Sequence, residues 1–277
     1  MNISEHISNF IQEMKRRNYA KNTIDNYVSC LQIFFAKINK DHPKNINEYD
    51  IKYFLSNYST VNTQRNYHGA IKKFYEICLN QKHKFKNIPY ARTDKKLPIV
   101  LSVNEIQSMF SACVNIKHKV ILALLYSCGL RVSELINLKW SDIDRHRKVI
   151  NILQAKGNKD RQVMLPPTLI PLLEKYYKIY ISNIYVLNGA NNELQYTSRS
   201  VLQAVKQIAE KAGIKNKRVY THLMRHCSFT HMLESGTDIN LIQKIAGHNN
   251  VKTTLIYTHI SSNLISSINS PINNISL

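Results

Sequence analysis

Apolar residues recur at helical spacing through most of this chain, and that period limits its fold more than any other feature. Ile3, Ile7, Phe10, Ile11 and Met14 form one stripe, and Tyr27, Leu31, Phe34, Phe35 and Ile38 a second. Ile51, Phe54, Leu55 and Tyr58 form a third, and Ile71, Phe74, Tyr75, Cys78 and Leu79 a fourth. Steps of three and four put each set on one helical face. Four such faces with short connections predict a small helical bundle over residues 1–82. Asn22 or Thr23 is the expected N-cap of the second helix, and the aromatic stripes read as core.

The period lapses over residues 83–101, where Pro89, Pro98 and scattered Lys and Arg read as a basic interdomain linker. Ser102-Val103-Asn104-Glu105 then has the form of a capping box, opening a second domain over residues 102–277. Val120, Ile121, Leu124 and Leu125 predict a buried helix with Gly129 as its left-handed C-cap. Arg131 and Glu134 follow, three apart and so on one helical face. They are either an ordinary surface pair or an Arg aimed into a site and held by a carboxylate.

Val149–Leu153 and Arg161–Leu165 are β-branched runs around a Gly157-Asn158 turn, which predicts a hairpin. Lys156 lies near its tip, idle unless the tip reaches a reacting phosphate, where an ammonium could hand over a proton. Helices resume over 168–182, from Ser198 or Ser200 to Gly213, through His222 to Gly236, and from Asp238 to Ala246. Residues 188–196 read as a loop. Beyond Tyr257, Ile260, Leu264, Ile265 and Ile268 make a short stripe before Pro271. A helix that short is unstable alone, so it is expected to dock on its own domain or on a neighbouring copy. The chain is therefore expected to be mainly α with a small β-sheet.

Charge narrows the partners. With 38 Lys and Arg against 18 Asp and Glu, the formal net charge is +20, which favours a polyanion, nucleic acid before anionic membrane. No apolar run of about 18 residues and no signal-like N-terminus occurs, so no membrane is expected. Lys15, Arg16, Arg17, Lys21, Arg65, Lys72 and Lys73 interleave with the N-terminal stripes, as a solvated face or as phosphate contacts; backbone contacts alone single out no base-reading residue. No glycine-rich nucleotide loop is present. Five scattered Cys without a C-x-x-C read as reduced thiols of a cytosolic core, and a reactive Cys227 beside Arg225 is the weaker reading.

The chemistry concentrates between His222 and Tyr257. Arg225 presents a planar donor fork matching phosphate oxygens, His222 and His248 add donors or acceptors near neutral pH, and a Tyr hydroxyl can form a covalent intermediate where charge is stabilised. That outlines phosphoryl transfer. His222, His226 and His231 share helical spacing that could suggest zinc, but no fourth ligand is spaced for it and H-E-x-x-H is absent. His226 reads as a structural neighbour and His231 as a core or capping residue. No metal or other cofactor is expected. Lys159 and Arg161 read as contacts to DNA backbone or to solvent.

These stretches resemble the tyrosine recombinases of the phage-integrase family, nearest the Xer-type and integron-integrase-like members. The resemblance is carried by GLRVSEL around Arg131, AKGNKDR around Lys156, HLMRH around His222 and Arg225, AGH at His248 and TTLIYTH at Tyr257. KRRNYAKNTIDNYVSCLQIFF and NTQRNYHGAIKKFYE look like the family's core-binding helices, so the likeness spans nearly the whole chain. This chain has R-H-C-S-F-T-H where R-H-S-F-A-T-H is common, and Ala246 where Leu is usual.

The resemblance implies a helical core-binding, SAM-like N-terminal domain and an α+β catalytic domain with a C-terminal docking tail. It implies that Tyr257 attacks DNA phosphorus to give a 3′-phosphotyrosyl link, that Arg131 and Arg225 clamp the non-bridging oxygens, and that Lys156 protonates the leaving 5′ oxygen. His222 and His248 would hydrogen-bond the phosphate, and Glu134 would support the site. Lys21, Arg65, Lys72 and Lys159 would contact DNA. The implied partners are double-stranded DNA and three further copies in a tetramer on two sites, with room for an accessory protein. The implied setting is the bacterial cytoplasm, at the nucleoid. A type IB topoisomerase-like relaxing enzyme and a catalytically silent DNA-binding protein of the same fold are the competing functions. The short 188–196 loop disfavours an integron integrase.

Overall fold

The computed structural model describes residues 2–92, 99–153, 160–189, 195–248 and 250–258. Contacts divide the chain into two units, residues 1–95 and 96–277. The segment from 93 to 98, the hairpin tip with Lys156 and Lys159, and the tail beyond residue 258 lie outside the described residues.

Unit 1 is helical: α1 Ile3–Arg16, α2 Lys21–Ile38, α3 Glu48–Ser56 and α4 Val61–Cys78. Asn2 and Glu5 close a reciprocal cap on α1, and Asn47 and Asp50 do the same on α3. Such caps satisfy amide donors that a helix start leaves orphaned. The second helix departs from the sequence expectation. It starts at Lys21 with Ala20 at the N-cap and no side-chain cap, so Asn22 and Thr23 sit inside its first turn. The Ala20 carbonyl accepts from the Thr23 and Ile24 amides at 2.9 and 3.1 Å, so the first turn closes on backbone bonds one turn ahead of the side chains that could cap it.

The apolar stripes meet at Phe10, Leu31, Phe34, Phe54, Ile71 and Phe74, all buried. Phe34 meets Phe54 edge-on at 4.9 Å and Phe35 meets Phe74 at 5.2 Å. Such geometry sets the positive ring edge against the negative face. Tyr75 is buried as well and donates its hydroxyl to the Pro43 carbonyl at 2.7 Å.

Unit 2 is organised on α6, Ile116–Ser127, whose residues Val120, Ile121, Leu122, Leu124 and Leu125 are all buried. A helix apolar on every side must be covered on every side. Around it lie α5 Val103–Ala112, α7 Val132–Asn137, α8 Ile170–Tyr180, α9 Ser198–Lys211 and α10 Thr221–Glu234, followed by α11 Ile239–Ala246 and the short α12 Val251–Thr254. Strands β1 Ile143–Asp144, β2 Val149–Ile152 and β3 Arg161–Met164 form an antiparallel sheet in that order. Ile150 pairs with Val163 and both face the core, while Asn151 pairs with Gln162 on the more open face. Ser102 and Glu105 form the expected capping box on α5. Among the described residues no helix is long and apolar enough to cross a membrane.

The turn between α6 and α7 depends on a glycine. Gly129 has φ +58, and a Cβ there would lie 2.6 Å from the Phe229 ring. Only glycine takes that conformation at so close an approach without strain. The tight reversal delivers Arg131 to the N-cap of α7.

Candidate active site

Arg131 and Glu134 are not an exposed pair along a helix face, as their spacing allowed. Arg131 precedes α7 with extended backbone. Its amide donates to Glu134 Oε2 at 2.8 Å, and its Nη1 to Glu134 Oε1 at 2.7 Å. The Glu134 side chain is only 6% exposed.

The second guanidinium on that carboxylate belongs to Arg161, which corrects the expectation that it faces solvent or DNA backbone. Its side chain is 7% exposed. Nη1 and Nη2 reach Glu134 Oε1 and Oε2 at 2.8 and 2.7 Å, while Nε donates to the Ile245 carbonyl at 2.7 Å. Desolvation by itself would raise the Glu134 carboxyl, but hydrogen bonds from Arg161 and the Arg131 amide outweigh it and hold the group at about 2.

Arg225, buried on α10, is the third guanidinium. It donates to the Gly129 carbonyl and to the Ala246 carbonyl, and Ala246 also accepts from Arg131 Nη2 at 3.1 Å. One oxygen therefore gathers two cations. The C-terminal carbonyls of α11 have no partner within the helix and carry its negative dipole end, so they suit guanidinium donors. Burial, then the nearby Arg131 charge, lowers Arg225 to about 9, which leaves it cationic at neutral pH. Gly247 ends α11 at φ +61, with the Arg161 Cδ 3.0 Å from where a Cβ would stand.

Tyr257 follows α12 and is 2% exposed. Its ring lies 5.6 Å from Phe229, 5.7 Å from His226 and 6.3 Å from His248, nearly parallel to the last. Burial raises the phenol's pKa, while the charges on Arg225 and Arg131 pull it back. His248 Nδ1 pairs with Thr254 Oγ1 at 3.0 Å. Burial, then the surrounding Arg charges, lowers His248 to about 4. His222, next to His226 at 4.6 Å between ring centroids, is lowered by burial and by Arg225 and Arg131. Burial, then His222 and Arg225, lowers His226 to about 4 as well, so all three imidazoles are held towards the neutral form. His231 pairs with the Tyr126 hydroxyl at 2.9 Å, apart from the Arg cluster. Cys227 is buried, receives the Leu101 amide at 3.3 Å, and burial pushes its thiol up to about 11, which disfavours a nucleophilic role.

The fold thus brings Arg131, Glu134, His222, Arg225, His248 and Tyr257 together. It adds Arg161, the residue that sequence reasoning misplaced. No signal in the sequence could have placed it: Arg161 opens β3 and reaches the end of α11, a juxtaposition that the sequence does not contain. The site presents cationic donors and a phenol with neutral imidazoles, and among the described residues no set of three His, Cys, Asp or Glu could hold a metal ion.

The expected DNA contacts in unit 1 are placed as follows. Lys21 is exposed at the start of α2. On α4, Arg65 donates to the Ala91 carbonyl at 2.9 Å and lies 5.2 Å from the Tyr90 ring centroid, with Lys72 at 5.8 Å from the same ring.

The model of the phage integrase family matches residues 100–263, and that of the phage integrase N-terminal SAM-like domain matches residues 7–84. The chain is 31% identical to tyrosine recombinase XerA of Pyrococcus horikoshii, covering 94% of this chain and 90% of that one. It is 31% identical to the putative integrase/recombinase y4qK of Sinorhizobium fredii, covering 94% and 86%. Its fold is similar to that of the XerH site-specific recombinase bound to difH substrate, with a TM-score of 0.71, 25% identity, and coverage of 90% of this chain and 79% of that one.

Proposed function

The chain belongs to the phage integrase family of tyrosine recombinases, and on that premise we propose that it cuts and rejoins DNA at specific sites through a covalent 3′-phosphotyrosyl intermediate. The Tyr257 oxygen attacks the scissile phosphorus, the bond to the 5′ oxygen breaks, and the phenol proton passes to the neutral imidazole of His222 or His248. Lys156 returns a proton to the leaving 5′ oxygen. Attack by the 5′-hydroxyl of a partner strand reverses the step and releases Tyr257. One phosphate diester replaces another, so no nucleotide need be hydrolysed.

The observation that carries this reading is the shared Ala246 carbonyl, which holds Arg131 and Arg225 together beside a buried phenol. Two forks so placed match the non-bridging oxygens and neutralise charge as the phosphorus becomes five-coordinate. In a water-poor pocket those contacts are worth more than in bulk solvent. Neutral His222 and His248 donate to the phosphate and help move the proton. Glu134 holds Arg131.

Exchange between two duplexes cuts four strands, and one nucleophile per chain then implies a tetramer on two sites. Lys21, Arg65, Lys72 and Lys159 contact the DNA backbone, and the tail beyond Tyr257 docks on a neighbouring copy. Work on chromosomal or mobile DNA places the protein in the cytoplasm.

The test begins by selecting bound DNA from a random library. A nicked suicide substrate built on the selected site should trap a covalent adduct with the wild type. Tyr257→Phe should bind the same DNA with unchanged affinity and form none. Full-strength cleavage by that variant would remove Tyr257 as nucleophile. Relaxation of plasmids lacking the selected site would favour a topoisomerase.

A further inference from the structure

We infer that Arg161 is a positioning residue for strand cleavage: by taking up the Glu134 carboxylate it leaves the Arg131 charge free for the phosphate. The inference rests on the recombinase reading above but concerns a residue that reading does not use.

The argument begins with charge. Two guanidiniums pair with one buried carboxylate, and a third, that of Arg225, bonds to the same Ala246 carbonyl as Arg131. Arg161 engages both oxygens of Glu134 with its two terminal nitrogens, whereas the Arg131 side chain reaches a single oxygen through Nη1. A two-pronged pair is the stronger and more directional. Glu134 is thus neutralised chiefly by Arg161, and the second terminal nitrogen of Arg131 turns to the Ala246 carbonyl. Removing Arg161 would leave a buried carboxylate with Arg131 as its principal cation. Arg131 would then close onto Glu134, and its charge would be spent there instead of on a phosphate.

The geometry points the same way. Arg161 Nε binds the Ile245 carbonyl, one residue before the carbonyl shared by Arg131 and Arg225. Its Cδ lies against Gly247, next to His248. One side chain therefore ties β3, the start of α7 and the end of α11 into a single frame. Direct contact with DNA does not fit, because the fork and Nε are committed and the side chain is buried.

The test measures adduct formation at saturating DNA, together with DNA affinity. Arg161→Met should slow cleavage roughly 10- to 100-fold, as expected for a misplaced catalytic group, with affinity within about threefold of wild type. The double variant Arg161→Met, Glu134→Gln removes the charge that would capture Arg131, and should cleave at least about fivefold faster than Arg161→Met alone. A purely structural role predicts no such recovery. If Arg161→Met does not fold, Arg161→Lys keeps the charge but not the fork and should show an intermediate rate that Glu134→Gln also improves. Wild-type cleavage by either single variant, a double variant no faster than its parent, or a fall in affinity matching the fall in rate overturns the inference. Stabilisation by inorganic sulfate keeps the two readings apart. If the wild type forms no adduct, the recombinase reading fails, whereas Arg161 is still judged by whether its loss weakens sulfate stabilisation and Glu134→Gln restores it.

Discussion

The two units are built from the same helical vocabulary and place their charge oppositely. Unit 1 buries aromatic rings and keeps ion pairs such as Arg16–Glu13 and Lys73–Glu76 at its surface. Unit 2 buries a carboxylate and the guanidiniums of Arg161 and Arg225 beside its apolar core, with Arg131 half-buried next to them. A buried ionic cluster contributes little net stability over an apolar one, because desolvation offsets the attraction. Its presence therefore reflects a function that needs concentrated positive charge more than a fold that needs gluing. Unit 1 can offer charge to a long anion while staying indifferent to the exact position of each group. Unit 2 cannot, since each donor depends on another.

Removing one member of each core should separate them most. Glu134→Ala should destabilise unit 2 by about 3–5 kcal/mol, because it strands buried Arg charge. Phe34→Ala should destabilise unit 1 by a similar amount, about 3–5 kcal/mol, through lost burial and a cavity. Hydrogen exchange resolved by unit distinguishes the two. Added sulfate should recover part of the loss in Glu134→Ala, by pairing the stranded charge, and none of it in Phe34→Ala. If Glu134→Ala leaves unit 2 protection unchanged, the buried cluster is not the frame described.

Acid should discriminate next. His226 and His248 are each lowered from 6.5 to about 4 in the folded chain, so between those values the unfolded state binds more protons. Stability of unit 2 should therefore rise with pH from about 4 to 6.5 and level off above. His6 and His68 in unit 1 are also lowered by burial, so unit 1 should weaken in the same direction, and unit 2 should open first. Glu134 adds a loss only at lower pH, as the solution falls from 4.5 towards about 2.

A smaller effect is expected from sulfate on the wild type. An anion that binds only the folded Arg131–Arg225 pocket stabilises it by mass action. It should raise unit 2 protection more than sodium chloride of equal ionic strength, and leave unit 1 nearly unchanged. The smallest is Arg16→Ala, which breaks an exposed pair within one helix and should be indistinguishable from wild type in unit 1 unfolding.

Much of the fold can be read from local pattern. The four stripes of unit 1 mark its helices because a helical face is a property of neighbours three and four apart. The Ser102–Glu105 box and the β-branched runs of β2 and β3 are equally short-range. The start of α2 departs from the expectation because it closes on backbone bonds to the Ala20 carbonyl without any side-chain cap, which a capping preference does not report. The types and order of Arg131, His222, Arg225, His248 and Tyr257 could be read as a phosphoryl-transfer set, but their mutual distances could not.

The sequence by itself determined which segments are helical, where the β2–β3 hairpin lies, and which side chains have the chemistry to grip and attack a phosphate. Only the tertiary structure decided how the charges are shared. Arg161 and Glu134 stand 27 residues apart, on a strand and a helix start that meet only once the core has closed. No periodicity reports that meeting, because burial and ion pairing depend on what comes to lie across from a side chain in space.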